Sequence, residues 1–118
     1  MTIRRAVPDV KTLSPEKSRR FYTEVLGFDL AMDLGWVQTF VSRTNAVVQI
    51  NVLAADAAAP VVPSVSVEVA DVDAVHTLAL EHGLEIVYPL TNEPWGVRRF
   101  FVRDPGGEAI INVLSHRA

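Results

Sequence analysis

Hydrophobic and polar positions change period several times along this chain, and each change marks an element. Ala6 to Leu13 reads as a first strand, with Pro8 keeping its start at an edge or outside the ladder. Ser14-Pro15-Glu16 signals a helix start: a capping hydroxyl, proline at the first helical position and a carboxylate in the first turn. Phe21, Tyr22, Val25 and Leu26 recur at helical spacing, and Gly27 stands where a left-handed residue would close the helix. Phe28 to Met32 reads as a strand. Gly35 to Val41 and Ala46 to Leu53 follow as a hairpin around Ser42-Arg43-Thr44-Asn45. Ser64 to Val69 alternates strictly, which predicts a strand laying its valines against a helix. Asp71 or Asp73 caps that second helix, which turns Val72, Val75, Leu78 and Ala79 inward and ends at Gly83. Glu85 to Leu90 is a strand, and Thr91 to Gly96 a long turn. Val97 to Arg103 and Ala109 to Leu114 then form a second hairpin, turned by Asp104-Pro105-Gly106-Gly107.

The two hairpins are copies. Ile-Asn-Val-Leu ends both, at 50–53 and 111–114, and a slide of 61 residues (112 minus 51) also pairs Phe40 with Phe101 and Gly35 with Gly96. A repeat of this length decides architecture before any local reading does. The expected fold is α+β: two tandem βαβββ repeats forming curved mixed sheets, with one helix each and a concave face for a ligand. One domain covers 1–118, with repeat one at about 1–55, a linker at about 54–63 and repeat two at about 64–118.

Composition narrows the chemistry. Hydrophobic residues make up 49% of 118 positions, which suits a folded core, and there is no cysteine for a disulfide, thiolate site or thiol nucleophile. The net charge of −3 and the lack of a basic run give no reason to expect nucleic acid. No apolar run approaches the roughly 20 residues of a membrane helix, and the start lacks a signal-peptide core, so the expectation is no membrane and a cytoplasmic location.

Ser18-Arg19-Arg20-Phe21-Tyr22-Thr23-Glu24-Val25-Leu26-Gly27-Phe28, with Pro94-Trp95-Gly96-Val97-Arg98 and Asp104-Pro105-Gly106-Gly107, resembles the vicinal oxygen chelate superfamily. That superfamily includes glyoxalase I, extradiol dioxygenases, fosfomycin-resistance thiol transferases and bleomycin-resistance proteins. The resemblance covers nearly the whole chain and implies the fold; neither motif is chemical. It also implies that catalytic relatives hold a divalent metal with His, Gln or Glu from the first and last strands of each repeat. Carried over, those places fall at Val7 or Pro8, Gln49 or Asn51, Ser64, and Ile111 or Asn112. None is a histidine or carboxylate, and neutral amides do not repay dehydration of a hard or borderline cation. The expectation is therefore no metal and no cofactor, closest to the metal-free bleomycin-resistance branch. Small relatives of this kind also imply a homodimer.

Candidate ligand contacts follow from alternation. Gln49, Asn51 and Asn112 interrupt apolar strands and are expected on the concave side; the bland alternative is an amide bonded to neighbouring backbone. Trp36, Phe40, Trp95 and Phe101 supply aromatic surface, with core packing as the alternative, and Gln38 accompanies them. Ser64, Ser66 and Glu68 share one strand face. Glu68 is the one candidate general base, against a solvated or arginine-paired carboxylate. Arg98, Arg99 and Arg103 alternate around Phe100 and Phe101: an arginine in the cavity, with Arg99 counted among the contacts, would receive an anion, and an edge-strand charge is the alternative. His76 and His82 read as surface residues, and His116 as the histidine able to reach a cavity.

The expected function is metal-free binding of a small planar or aromatic organic ligand in a dimer cavity, without catalysis. The rivals are a metal-dependent lyase, isomerase or dioxygenase with atypical ligands, a metal-free catalyst built on Glu68, and a subunit whose dimer face is its working surface.

Overall fold

Chain direction reverses first at Ser14, where the side chain accepts a hydrogen bond from Lys17 N and Pro15 needs none of its own. A computed structural model of the chain describes residues 2–117. In it β1 (Ile3–Lys11) leads into α1 (Pro15–Arg20), which widens into a π-helical turn, Phe21–Val25. Thr23 bonds back to the Arg19 carbonyl at 2.7 Å, and Leu26 N reaches Phe21 O across the wider ring. Gly27, at φ +84°, ends the helix as its position predicts.

Strands β2 (Asp29–Asp33), β3 (Val37–Val41) and β4 (Gln49–Leu53) complete the first βαβββ set, and β4 pairs in parallel with β1 through Asp9 and Asn51. The second set is β5 (Val65–Val69), α2 (Val72–Glu81), β6 (Ile86–Asn92), β7 (Val97–Arg103) and β8 (Ile110–His116). Asp71, not Asp73, caps α2 by accepting from Ala74 N. The fold is thus mixed α+β with two βαβββ sets, as the repeat predicts.

The chain forms two compact units, one holding Val7–Val62 and the other Met1–Ala6 with Pro63–Ala118. Strand order is β2-β3-β4-β1 in the first and β1-β5-β8-β7-β6 in the second. The start of β1 is tied into the second unit by Ala70 N to Thr2 O and by Arg5 on Glu68. No helix among the described residues is long and apolar enough to cross a membrane.

Each unit buries one sheet face under its helix. In the second, Val69, Val72, Ala79, Phe100 and Val113 form the core, with Val67, Val75 and Ile111 packed on it. Phe100 is fully buried, with the His76 ring edge-on at 5.0 Å; burial of such a side chain stabilises by about 1.5–3 kcal/mol. In the first unit Phe40 takes that part, stacked on Tyr22 of the π-helical turn at 5.0 Å. Strand β6 differs most from expectation. It runs on to Asn92, so the turn into β7 is shorter than predicted, and its ladder slips twice, between Ile86 and Tyr88 and again between Tyr88 and Thr91, where Pro89 has no N–H to donate.

Candidate functional site

Since alternate residues of a strand face opposite ways, the helix-packed residues identify the other face by elimination. In the second unit that face carries a row across four strands: Ser66, Asn112, Phe101 and Tyr88, each opposite the next in register. In the first unit the matching row is Asp9, Asn51 and Thr39. Asn51 and Asn112 therefore do occupy like places, both turned away from their helix.

Their hydrogen bonding differs. Asn51 accepts from Thr39 Oγ1 at 2.7 Å and donates to Asp9 Oδ1 at 2.9 Å, so both ends of its amide are bonded within the sheet. Asn112 donates to Ser66 Oγ at 2.9 Å, but its Oδ1 is shielded from solvent without a partner, in a residue only 7% exposed. A buried acceptor left in that state costs about 1–3 kcal/mol.

Beside this row, one rung along the same face, lies a buried ion pair. Arg99 and Glu93 have side chains 4% and 3% exposed, with Arg99 Nη2 at 2.6 Å and Nε at 2.7 Å from one Glu93 oxygen. Tyr88 donates to the same oxygen at 3.2 Å. The guanidinium lies about 5 Å from the rings of Tyr88, Trp95 and Phe101 (5.2, 5.0 and 4.9 Å), so three aromatic rings meet a cation. Sequence reading brought Trp95, Arg99 and Phe101 forward but not Tyr88 or Glu93. Glu93 lies in a stretch read as a turn, where an acid is ordinarily solvated. As an anion receptor Arg99 is pre-empted, because its charge is already matched inside the protein.

Glu68 is likewise engaged. Arg5 Nε lies 2.6 Å from Oε1 and His116 Nδ1 2.8 Å from Oε2. Burial works to raise its pKa, but the hydrogen bonds and charges of His116 and Arg5 together hold it below the ordinary value. A carboxylate stabilised as the anion is a weak base, so the arginine-paired alternative describes Glu68 better than general-base catalysis.

The remaining candidates sit apart from this face. Phe40, fully buried on Tyr22, and Gln38, 5% exposed, occupy the helix-packed side of β3, away from the helix-free face. The reason is a slip of one residue between the hairpins: Asn51 faces Thr39, whereas Asn112 faces Phe101. Sliding the sequence thus pairs Phe40 with a phenylalanine of the opposite face, since a single-residue slip inverts a strand. Gln49 donates to the Ala46 carbonyl at 2.7 Å, Trp36 is half-buried where β3 begins, and Ser64 is exposed ahead of β5. Asp9 was not among the expected contacts, although its alternation with Pro8 and Val10 was visible.

A divalent ion, which the resemblance implies for catalytic relatives, does not suit these residues. No three His, Cys, Asp or Glu side chains gather among the described residues. The pair of His116 with Glu68 has the Arg5 guanidinium against it, which opposes a second cation.

A protein-family model described as Glyoxalase/Bleomycin resistance protein/Dioxygenase superfamily matches residues 10–111. No curated protein sequence matches. Among solved structures, a glyoxalase/bleomycin resistance protein/dioxygenase superfamily member from Vibrio splendidus 12B01 is 17% identical, with a TM-score of 0.72 over 97% of this chain and 99% of its own. A variant of Streptomyces coelicolor methylmalonyl-CoA epimerase, in complex with 2-nitronate-propionyl-CoA, is 15% identical at a TM-score of 0.73, over 99% and 100%. A structure described as NAD-dependent benzaldehyde dehydrogenase from Legionella pneumophila is 20% identical at 0.75, over 95% and 99%. At these identities the likeness is one of fold.

Proposed function

The chain belongs to the Glyoxalase/Bleomycin resistance protein/Dioxygenase superfamily, and from that membership we propose that it is a metal-independent binder of a small planar organic molecule. The ligand would lie on the helix-free face of the second unit, over Asn112 and Phe101. The observation that carries this reading is the solvent-shielded Asn112 Oδ1 without a partner, an acceptor whose desolvation is uncompensated until something donates to it. Phe101, directly opposite in register and itself fully buried, would supply apolar surface beside it once the face opens to a ligand. The donor set of the second unit supports independence from metal: its last strand offers an amide, and the carboxylates Glu68 and Glu93 already face arginines. A homodimer is part of this reading, and a monomeric mass in solution at micromolar concentration would remove that part.

Two measurements test the whole. Protein purified without chelator is expected to carry no stoichiometric Ni, Zn, Mn or Fe; stoichiometric metal would replace this reading with a lyase, isomerase or dioxygenase. In a Trp36→Phe variant, Trp95 is the remaining tryptophan, and a panel of planar natural products is expected to include ligands that quench it. Silence across the panel would sink the binding reading.

A further inference from the structure

We infer that the ligand of this site is a neutral molecule with an N–H or O–H group, a lactam, amide or phenol, which it donates to Asn112 Oδ1; this rests on the binding reading above. The direction of the bond follows from what each group already does. Asn112 Nδ2 already spends one of its two N–H groups on Ser66 Oγ at 2.9 Å, whereas Oδ1 is the amide atom left with no partner, so the uncompensated demand is for a donor. Ether, carboxylate or phosphate oxygens would set acceptor against acceptor there, which a shielded site tolerates poorly.

Charge selects in the same sense. The arginines beside the site are matched, Arg99 to Glu93 in the interior and Arg5 to Glu68, whose second oxygen meets His116. An anionic guest would have to take a cation from its carboxylate and leave that acid unpaired, whereas a neutral donor disturbs neither pair. Closure of the face over Oδ1 adds a kinetic expectation. Side chains must move before the guest arrives, so association is slower than diffusion.

Matched ligands test this with the full chain by isothermal titration: 2-quinolone, a planar lactam with one N–H; 1-methyl-2-quinolone, which lacks it; and quinoline-2-carboxylate. The lactam is expected to bind about tenfold or more tighter than its methyl derivative, the carboxylate more weakly still. Asn112→Leu should bring the lactam down to the level of the methyl compound. Asn112→Asp, which keeps an acceptor, should preserve the preference. Equal binding of lactam and methyl lactam, or tighter binding of the carboxylate, overturns the inference while the binding reading stands. Silence from all three, with silence in the fluorescence panel, removes both.

Discussion

The two halves present the same asparagine at the same place on like scaffolds and use it in opposite ways. Asn51 is a structural amide, bridging Asp9 and Thr39 across three strands. Asn112 is bonded at one end, to Ser66. Around Asn51 the row is polar and half-exposed; around Asn112 it holds a fully buried phenylalanine and, one rung away, an internal arginine–glutamate pair. Duplication thus leaves a backbone position in common while the neighbours decide its chemistry. In the first half the amide is bonded at both ends within the sheet, and in the second its oxygen is left without a partner.

The sharpest way to break that comparison is to strip the second half of its internal charge. Arg99→Met leaves Glu93 buried beside apolar rings and is expected to cost about 3–5 kcal/mol in urea unfolding. Arg99→Met with Glu93→Leu should recover most of that loss, because both charges then leave together. A single-variant cost below about 1 kcal/mol would show the pair to be solvated. Arg43 and Asp29 of the first half, with side chains 63% and 55% exposed, are the control: Arg43→Met should fall within about 1 kcal/mol of the parent.

Smaller in size but more telling in sign is the exchange of each asparagine for leucine. Asn51→Leu takes a hydrogen-bond partner from both the Thr39 hydroxyl and the Asp9 carboxylate and should destabilise by about 1–3 kcal/mol. Asn112→Leu removes an acceptor that has no partner and releases only Ser66, so unfolding should register a change near zero, within about 1 kcal/mol of either sign. Equal losses in the two variants would mean that Asn112 is as structural as its counterpart.

Most of the scaffold was legible because its signals are local. Ser14-Pro15 and Asp71 cap helices, Asp104 accepts from Gly106 N at 2.8 Å in its turn, and alternation in Val65–Val69 laid its valines on α2. Superfamily membership was legible too, since the motifs that carry it are the ones that build the helix and the turn. The site was less so. Phe40 and Phe101 read as equivalent because composition repeats, yet hairpin register, set by the length and geometry of each turn, puts them on opposite faces. Glu93 could not be matched to Arg99 in advance because the β6 ladder slips around Pro89, which no periodicity encodes. Nor does any pattern reveal that Asn51 is bonded at both ends and Asn112 at one; that depends on which side chain each strand brings opposite.

The smallest effect belongs to acid. Glu68, held below its ordinary value of 4.5 by His116 and Arg5 against the opposing pull of burial, favours the folded state whenever it is ionised. Its folded pKa lies below the unfolded one, so this contribution is fully present above the unfolded value and is lost as pH falls through the folded one. Pairs of this partly exposed kind are worth about 1 kcal/mol. A stability profile of the parent from pH 7 to pH 2 should therefore bend downward below about pH 4.5, and Glu68→Gln should flatten part of that bend. The variant should also lie below the parent at neutral pH, where the ionised Glu68 acts in full, and approach it in acid, since a protonated Glu68 offers little more than the amide. Parallel profiles, offset by a constant amount at every pH, would mean that the Glu68 carboxylate keeps its ordinary value and that Arg5 and His116 lie near it without holding its charge.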